Sequence, residues 1–340
     1  MGLYLDSGYL NIRYCMRFKC PFTFIIGGRG TGKTFSSQQV CIEDHKIYML
    51  MRRTQAQADL IAKPDFSPVN PVLDYMGRFP KIESASKYNG VIFSAPDPDS
   101  EEWTLHGYTA ALSTFSNLRG FSGDNISVLI FDEFIPELHE RTMKHEADAF
   151  FNVYETLNRN REFSGRDPLQ VLLLSNSNSL ASPILSALGL VKVLERMEAR
   201  KQCEYINTVR GIAIFLLNNS PISDMKRKTA LYKATEGTDF SKMALDNNFA
   251  YDDMTDVRSL SLSSGWKLFA RFGDMYFYRD RDLWYISRHA AGEPAIEYEM
   301  SDVGIATWAA DFPGSYQRII NHKILYEDFG IKSLFTSLFI

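Results

Sequence analysis

The sequence predicts an α/β fold built on a mainly parallel sheet, followed by a smaller α+β domain. Two observations support this prediction. A complete phosphate-binding loop, G-x-x-x-x-G-K-[ST], occupies residues 27–34, with an apolar β-prone run before it at 22–26 and a helix-compatible segment after it at 34–45. Beyond the loop, apolar runs that end in polar residues alternate with helix-compatible segments, as strands and helices do in parallel sheets.

The elements can be placed in chain order from their residue patterns. Residues 47–51 predict a second strand, and two alternating runs on either side of a Pro-Asp-Pro-Asp turn at 96–99 predict a hairpin. Runs that are almost entirely apolar predict strands buried on both faces. These runs lie at 128–131, 169–174 and 212–217. Helices are expected at 145–158 and within 229–247, and short aromatic strands at 266–288.

Length and composition suit a globular protein of more than one domain. The chain has 340 residues, of which 45% are hydrophobic and 23% charged, and its formal net charge is −4. We expect a nucleotide-binding domain over 1–195, a basic linker or lid over 196–245 and a C-terminal domain over 246–340. Between 191 and 233 nine basic residues outnumber four acidic ones, which suits either a phosphate backbone or a solvated helix face. No apolar run approaches the ~20 residues of a membrane span, so no membrane association is expected.

The phosphate-binding loop indicates a P-loop NTPase, because each of its residue types has a task at a phosphate. Glycines let the backbone curl so that successive N–H groups point at the phosphates. Lys33 can reach the terminal phosphates, and the Thr34 hydroxyl can ligate Mg2+. The expected nucleotide-binding residues of the loop are Gly27, Gly28, Arg29, Gly30, Thr31, Gly32, Lys33 and Thr34.

Two acidic residues extend this expected site. Asp132 and Glu133 follow the apolar run at 128–131, and the carboxyl end of a parallel strand is where ligands bind. Asp132 can hold Mg2+, whereas Glu133 should point to the other side of the strand end and orient or deprotonate the attacking water. The pair favours ATP hydrolysis, although alone it also fits an ordinary strand end with solvated acids.

Ser175 and Asn176 end the next apolar strand, so they should reach the same edge of the sheet. There a polar side chain can contact the γ-phosphate or the attacking water and report hydrolysis to the rest of the protein. The alternative is a plain strand-end turn, for which serine and asparagine are well suited.

Catalysis of phosphoryl transfer also calls for a cation, because the loose transition state spreads negative charge. Arg29 lies inside the loop, and Arg159 and Arg161 follow a helix on a polar segment from which they can reach a neighbouring subunit. Each is equally compatible with a solvated surface arginine. The full set of candidates is Arg29, Arg52, Arg53, Arg119, Arg159 and Arg161.

A combination of short segments carries a resemblance to known proteins, and some of these segments are not required by an ATP site. They are Arg29 in the loop, Arg52-Arg53, Leu118-Arg119-Gly120, 131–135, 159–162, 174–176, 237–240 and 243–247. In this combination the chain resembles viral terminase-type DNA-packaging ATPases, above all the short packaging ATPases of phi-29-like podophages.

The resemblance implies an ATP-hydrolysing motor with a RecA-like (ASCE, FtsK–HerA-like) domain that uses ATP and Mg2+. It implies translocation of double-stranded DNA into a preformed procapsid through the portal, or connector, protein. The motor is expected to be a homo-oligomeric ring, a pentamer, and a packaging RNA is left open as a further partner. It should act in the host cytoplasm, transiently at the portal vertex, and be absent from the mature virion.

Family roles can be carried over onto individual residues. The phosphate and metal roles fall on Lys33, Thr34 and Asp132, and the catalytic role on Glu133. Coupling falls on Ser175 and Asn176. Arg159 falls where the family places a finger that acts on the neighbouring subunit, and Arg119 where it places a second such cation, while Arg161 stays open as the finger.

The family also implies an RNase H-like fold for the C-terminal domain. We expect a degenerate nuclease, because the predicted first strand at 267–272 has no central acid. Two alternative functions remain: a packaging terminase with an active C-terminal nuclease, and an ATP-dependent assembly switch that moves no DNA.

Overall fold

The structure is a computed structural model that describes residues 2–84, 89–118, 123–137, 140, 143–218, 220–247, 249 and 251–339. The chain divides into two compact units. Unit 1 consists of Met1–Ser179 and Arg196–Tyr251, and unit 2 consists of Leu180–Glu195 and Asp252–Ile340.

Unit 1 is built on a nine-stranded sheet with the order β3-β4-β5-β2-β6-β7-β1-β9-β8. The strands from β5 to β9 in this order run parallel, and antiparallel pairs extend the sheet at both margins. The nine strands are β1 Phe22–Gly27, β2 Tyr48–Arg52, β3 Phe79–Glu83, β4 Gly90–Ala95, β5 Thr104–Ala111, β6 Val128–Asp132, β7 Gln170–Ser175, β8 Glu204–Asn207 and β9 Ile212–Leu217. The predicted mainly parallel α/β sheet and the predicted hairpin, β4–β5, are therefore confirmed.

The helices of the described chain are mostly short. Those of unit 2 are α6 and α11–α13, and α7 crosses the boundary between the units. The helices are α1 Ile12–Met16, α2 Lys33–Glu43, α3 Gln55–Ile61, α4 Asn70–Tyr75, α5 Glu146–Asn158, α6 Pro183–Ala187, α7 Val191–Ala199, α8 Pro221–Lys226, α9 Ala230–Ala234, α10 Asp239–Asp246, α11 Asp302–Asp311, α12 Ser315–Ile320 and α13 Phe329–Thr336.

The centre of the sheet is held by apolar residues covered on both faces. All five residues of β6 are buried, and so are five of the six in β1 and in β7. This burial matches their mainly apolar sequences, because a strand between two layers of helices has no solvent face. The carboxyl ends of these three strands meet at one edge, which is where the polar residues begin.

The expected division of the chain differs from the observed one. Residues 196–245 were expected to form a separate linker, but they contain β8 and β9, and β9 pairs in parallel with β1 from Phe22↔Ile212 to Gly27↔Leu217. All six residues of β9 are buried, and β9 lies between β1 and β8 in the large sheet, so it is an integral strand of unit 1. Residues 180–195, expected in the first domain, belong to unit 2.

Unit 2 contains a five-stranded sheet with the order β13-β10-β11-β12-β14. β10, β11 and β12 form the predicted aromatic meander, while β13 pairs in parallel with β10 and β14 in parallel with β12. Trp308 is fully buried at the centre of its core, with the Phe277 ring centroid 4.3 Å away. The strands are β10 Lys267–Phe272, β11 Met275–Asp280, β12 Leu283–Ser287, β13 Glu297–Tyr298 and β14 Ile324–Tyr326.

Within the described residues, no helix has the length and apolar character needed to cross a bilayer.

Candidate nucleotide site

The predicted site residues of the loop and of two strand ends surround one cavity of about 320 Å3 in unit 1. The cavity lies where β1, β6 and β7 end, as expected for an open parallel sheet. Its lining residues are Arg29, Gly30, Thr31, Gly32, Lys33, Thr34, Phe35, Asp132, Glu133, Ser175 and Asn176.

The glycines of the loop serve two different purposes. Gly30 and Gly32 have φ values of +71° and +89°, and this left-handed backbone favours glycine. Gly27 and Gly28 are glycines because of close neighbours. A Cβ atom on Gly27 would lie 2.4 Å from Cβ of Leu217, and one on Gly28 would lie 2.3 Å from the carbonyl oxygen of Ala244. Only the first pair therefore shapes the curl that the motif predicts.

Lys33 is folded back on the loop. Its Nζ donates to the carbonyl oxygens of Gly27 and Gly28, both at 2.9 Å, and to Oδ1 of Asn176 at 3.3 Å. Burial lowers the pKa of Lys33 to about 8, although the carboxylate of Asp132 opposes this effect. A buried ammonium held by uncharged oxygens is well suited to accept an anionic ligand, whose charge would compensate its own.

Asp132 and Thr34 are in contact at the end of β6. The Thr34 Oγ1 donates to Oδ2 of Asp132 at 2.9 Å. Burial raises the pKa of Asp132, although the charge of Arg52 and the hydroxyl of Thr34 act in the opposite direction. A hydroxyl and one carboxylate are a suitable protein donor set for Mg2+, which keeps several waters and takes its other ligands from phosphates. No cluster of three or more His, Cys, Asp or Glu side chains placed for a metal occurs in the described residues.

Glu133 does not point to the opposite side of the strand end, as alternation predicted. Its φ of +60° ends the strand geometry directly after Asp132. As a result, the carboxylates of Asp132 and Glu133 both pair with Arg52, which lies 2.9 Å from Oδ2 of Asp132. Arg52 ends β2, the strand next to β6, so adjacent parallel strands bring the three charges together.

Ser175 provides a buried polar atom that the described protein leaves without a hydrogen-bond partner. Its residue is 2% exposed, and its Oγ lies at the end of β7 in the lining of the cavity. Buried hydroxyls are normally paired, so an unpaired one in a ligand-sized cavity suits a ligand oxygen or a water. The left-handed glycines, the Lys33 ammonium, the Thr34–Asp132 pair and this hydroxyl together suit the phosphates of a nucleotide and a divalent cation.

The candidate arginines occupy different environments. Arg29 pairs with Glu137, five residues beyond Asp132. Arg53 is fully buried and makes two hydrogen bonds to Glu146, from Nε at 2.9 Å and from NH2 at 2.7 Å. Arg52, the last residue of β2, thus belongs to the site, whereas Arg53, the residue after it, binds the first residue of α5.

Arg159 and Arg161 lie away from the cavity, near the amino end of β6. Arg159 is about one-third exposed, and its NH1 is 4.0 Å from Oδ2 of Asp124. Arg161 is buried and donates to the carbonyl oxygens of Gly123 and Ile126. Arg119 lies outside the described residues.

Sequence reasoning missed several contacts of the loop. Arg52 was one of six arginine candidates, and its pairing with both carboxylates could not be read from spacing. Lys226, part of the basic segment, donates to the Arg29 carbonyl, and the N–H of Arg29 donates to the Ala244 carbonyl at 3.1 Å. A strongly basic segment was the only available signal for Lys226. Ala244 lies in the segment 243–247 that contributed to the family resemblance, but nothing in the sequence indicated its contact with the loop.

Comparison with known proteins gives matches over most of the chain. The model of the family described as podovirus DNA encapsidation protein (Gp16) matches residues 6–288. A DNA packaging protein of Bacillus phage B103 is 27% identical over 71% of this chain and 68% of its own length, and one of Bacillus phage phi29 is 26% identical over 76% and 71%. The fold is similar to a solved chain of the bacteriophage Phi-29 viral genome packaging motor assembly, with a TM-score of 0.68, 17% identity and 99% of both chains covered.

Proposed function

The chain belongs to the podovirus DNA encapsidation protein (Gp16) family, whose members package the phage genome into the capsid, and on this premise we propose that it is the ATP-hydrolysing motor of packaging. The proposed substrate is ATP with Mg2+, and the proposed cargo is double-stranded DNA that enters a procapsid through its portal. The observation that supports this best is the convergence of Lys33, Thr34, Asp132, Glu133 and Ser175 on one cavity.

Each residue has a chemical task in this proposal. Lys33 and the loop amides bind the β- and γ-phosphates, and Thr34 with Asp132 holds Mg2+, which when bound neutralises phosphate charge. Glu133 orients the attacking water and accepts its proton, a contribution of roughly 10² to 10⁴ in rate. For this its carboxylate must leave Arg52, with which it pairs in the described arrangement.

The coupling role falls on the end of β7. Asn176 accepts a hydrogen bond from Lys33, and the next residue, Ser177, donates to the carbonyl oxygen of Met243 at 3.3 Å. A change at the phosphates can therefore reach α10 through two adjacent residues, without any long relay.

The motor is proposed to work as a homo-oligomeric ring, with Arg159 acting on the neighbouring subunit's nucleotide. A head-to-tail interface in a closed ring brings one face of each subunit to the opposite face of the next. A pentamer, the portal and a packaging RNA remain proposals taken from the family.

ATP hydrolysis measured with and without linear double-stranded DNA tests the proposed function. We expect Mg2+-dependent hydrolysis that DNA stimulates, and loss of hydrolysis by roughly three orders of magnitude in Glu133→Gln, with ATP binding retained. Lys33→Ala serves as the matched control, because it should lose binding as well as turnover.

The outcomes separate the alternatives. Hydrolysis that DNA leaves unchanged would favour the assembly switch. Cutting of plasmid DNA with Mn2+, retained in Glu133→Gln, would instead favour an active nuclease in unit 2 over the degenerate RNase H-like domain that we propose.

A further inference from the structure

The backbone of Arg29, inside the phosphate-binding loop, is held from both sides by the segment from α8 to α10. Its N–H donates to the carbonyl oxygen of Ala244 at 3.1 Å. Its carbonyl oxygen accepts a hydrogen bond from the ammonium of Lys226, the last residue of α8 and 197 positions away in the sequence. The peptide that joins Arg29 to Gly30 is therefore fixed by tertiary contacts.

The position of Lys226 determines which way the Gly30 amide points. In a trans peptide the carbonyl of one residue and the N–H of the next point in opposite directions. Since the Arg29 carbonyl points at Lys226, the N–H of Gly30 points away from it. Among the described residues, the cavity lining includes Arg29 and Gly30 but not Lys226, and this arrangement suits a Gly30 N–H that is directed toward the cavity.

A cation on the carbonyl also strengthens the amide as a donor. Hydrogen bonds in a chain polarise one another. When an ammonium donates to the carbonyl oxygen of a peptide, the N–H of the same peptide becomes more positive. The Gly30 amide is thereby both oriented and polarised toward an anion in the cavity.

Local packing holds the ammonium of Lys226 in place. Its Nζ is 5.2 Å from the centroid of the buried Tyr232 ring, which stacks on Phe240 at an interplanar angle of 10°. On the loop side, a Cβ atom on Gly30 would lie 2.8 Å from Nζ, so the glycine leaves room for the charge.

We propose that Lys226 is a positioning residue for the phosphates of ATP, acting through the Arg29–Gly30 peptide. The inference rests on the proposed ATP site. It assigns Lys226 to the nucleotide, whereas the basic character of its segment suited either a DNA backbone or a solvated helix face.

Binding of AMP-PNP with Mg2+ to the full chain, measured by calorimetry, tests this role. Lys226→Met keeps the length of the side chain but loses its charge, and it should bind AMP-PNP about tenfold more weakly. Lys226→Arg should stay within about threefold of the parent chain, because a guanidinium can donate to the same carbonyl. Lys228→Met makes the same charge change at an exposed position two residues further on and should keep the parent affinity.

A melting experiment on the same variants separates positioning from a plain structural role. Without nucleotide, Lys226→Met should melt near the temperature of the parent chain. Its melting temperature should rise less than that of the parent when AMP-PNP is added. Three outcomes would each overturn this inference alone. They are parent-like affinity of Lys226→Met for AMP-PNP, an equal loss of affinity in Lys228→Met, and a lower melting temperature of Lys226→Met with an unchanged rise on addition of AMP-PNP. Absence of AMP-PNP binding by the parent chain would overturn the proposed ATP site along with it.

Discussion

The two edges of the nine-stranded sheet carry different kinds of polar residue. At the carboxyl edge, Lys33, Asp132 and Ser175 are buried around an open cavity, and the Ser175 hydroxyl is unpaired within the described protein. At the amino edge, Arg161 is buried and bound to backbone carbonyls, whereas Arg159 remains partly exposed. One edge is prepared for a ligand, and the other holds a cation at the surface.

The distance between the two edges limits the role of the arginines at the amino edge. Arg161 binds the carbonyl of Ile126 at the start of β6, and Asp132 ends the same strand. Six residues of extended chain separate them, about 20 Å. An arginine side chain cannot span that distance, so Arg159 cannot complete its own subunit's site. The role that we propose for Arg159 therefore requires the amino edge of one copy to meet the carboxyl edge of another.

Removal of Arg159 should have the largest effect on function. Arg159→Ala should lower ATP hydrolysis by roughly 10³ or more, because a trans-acting arginine stabilises the charge of the transition state. ATP binding should be retained, since Arg159 is absent from the described lining of the cavity. Steady-state hydrolysis and AMP-PNP binding by the same preparation measure both expectations.

Mixed assemblies show whether Arg159 acts between subunits. Arg159→Ala supplies an intact Glu133, and Glu133→Gln supplies an intact Arg159, so their mixture should regain part of the turnover that neither shows alone. A mixture as inactive as its components would contradict action between subunits, and the amino edge would then have no role in hydrolysis that differs from plain structure.

Removal of Arg161 should affect stability rather than chemistry. Arg161→Ala removes the guanidinium that donates to the carbonyl of Ile126, while the carbonyl of Gly123 keeps the N–H of Ile126 as a donor at 2.9 Å. The change should cost about 2 kcal/mol of the free energy of unfolding. Urea denaturation measures this loss. Arg161→Lys, which keeps a cation but loses the fork of donors, is the matched control and should lose less. A fully stable Arg161→Ala chain without hydrolysis would instead make Arg161 the finger.

Sequence reasoning predicted where strands lie in the chain better than it predicted which strands pair with each other. The run Ile212–Leu217 was recognised as a buried strand, yet its pairing with Phe22–Gly27 was not, and residues 196–245 were therefore assigned to a linker. The pairing joins segments almost two hundred residues apart, and apolar patterning indicates burial without indicating the partner.

The candidate site shows the same limit. Lys33, Thr34 and Asp132 could be predicted because the loop motif and the strand end define them locally. The common pairing of Asp132 and Glu133 with Arg52 depends on the order of β2 and β6 in the sheet and on the positive φ of Glu133. Neither is encoded in a short motif, so the alternation rule placed Glu133 on the wrong side.

Removal of the Ser175 hydroxyl should have the smallest effect on folding and still distinguish a ligand-ready edge from a structural one. Because its Oγ has no hydrogen-bond partner in the described protein, Ser175→Ala should leave the free energy of unfolding without ligand unchanged or raise it by less than about 1 kcal/mol.

The matched change Ser177→Ala removes a hydrogen bond to the Met243 carbonyl and should cost about 1 kcal/mol of the free energy of unfolding. If Ser175 serves the ligand, Ser175→Ala should weaken AMP-PNP binding or slow hydrolysis several-fold. Loss of stability in Ser175→Ala with unchanged nucleotide binding would show that its hydroxyl serves the fold, and the carboxyl edge would then depend on Lys33, Thr34 and Asp132 alone.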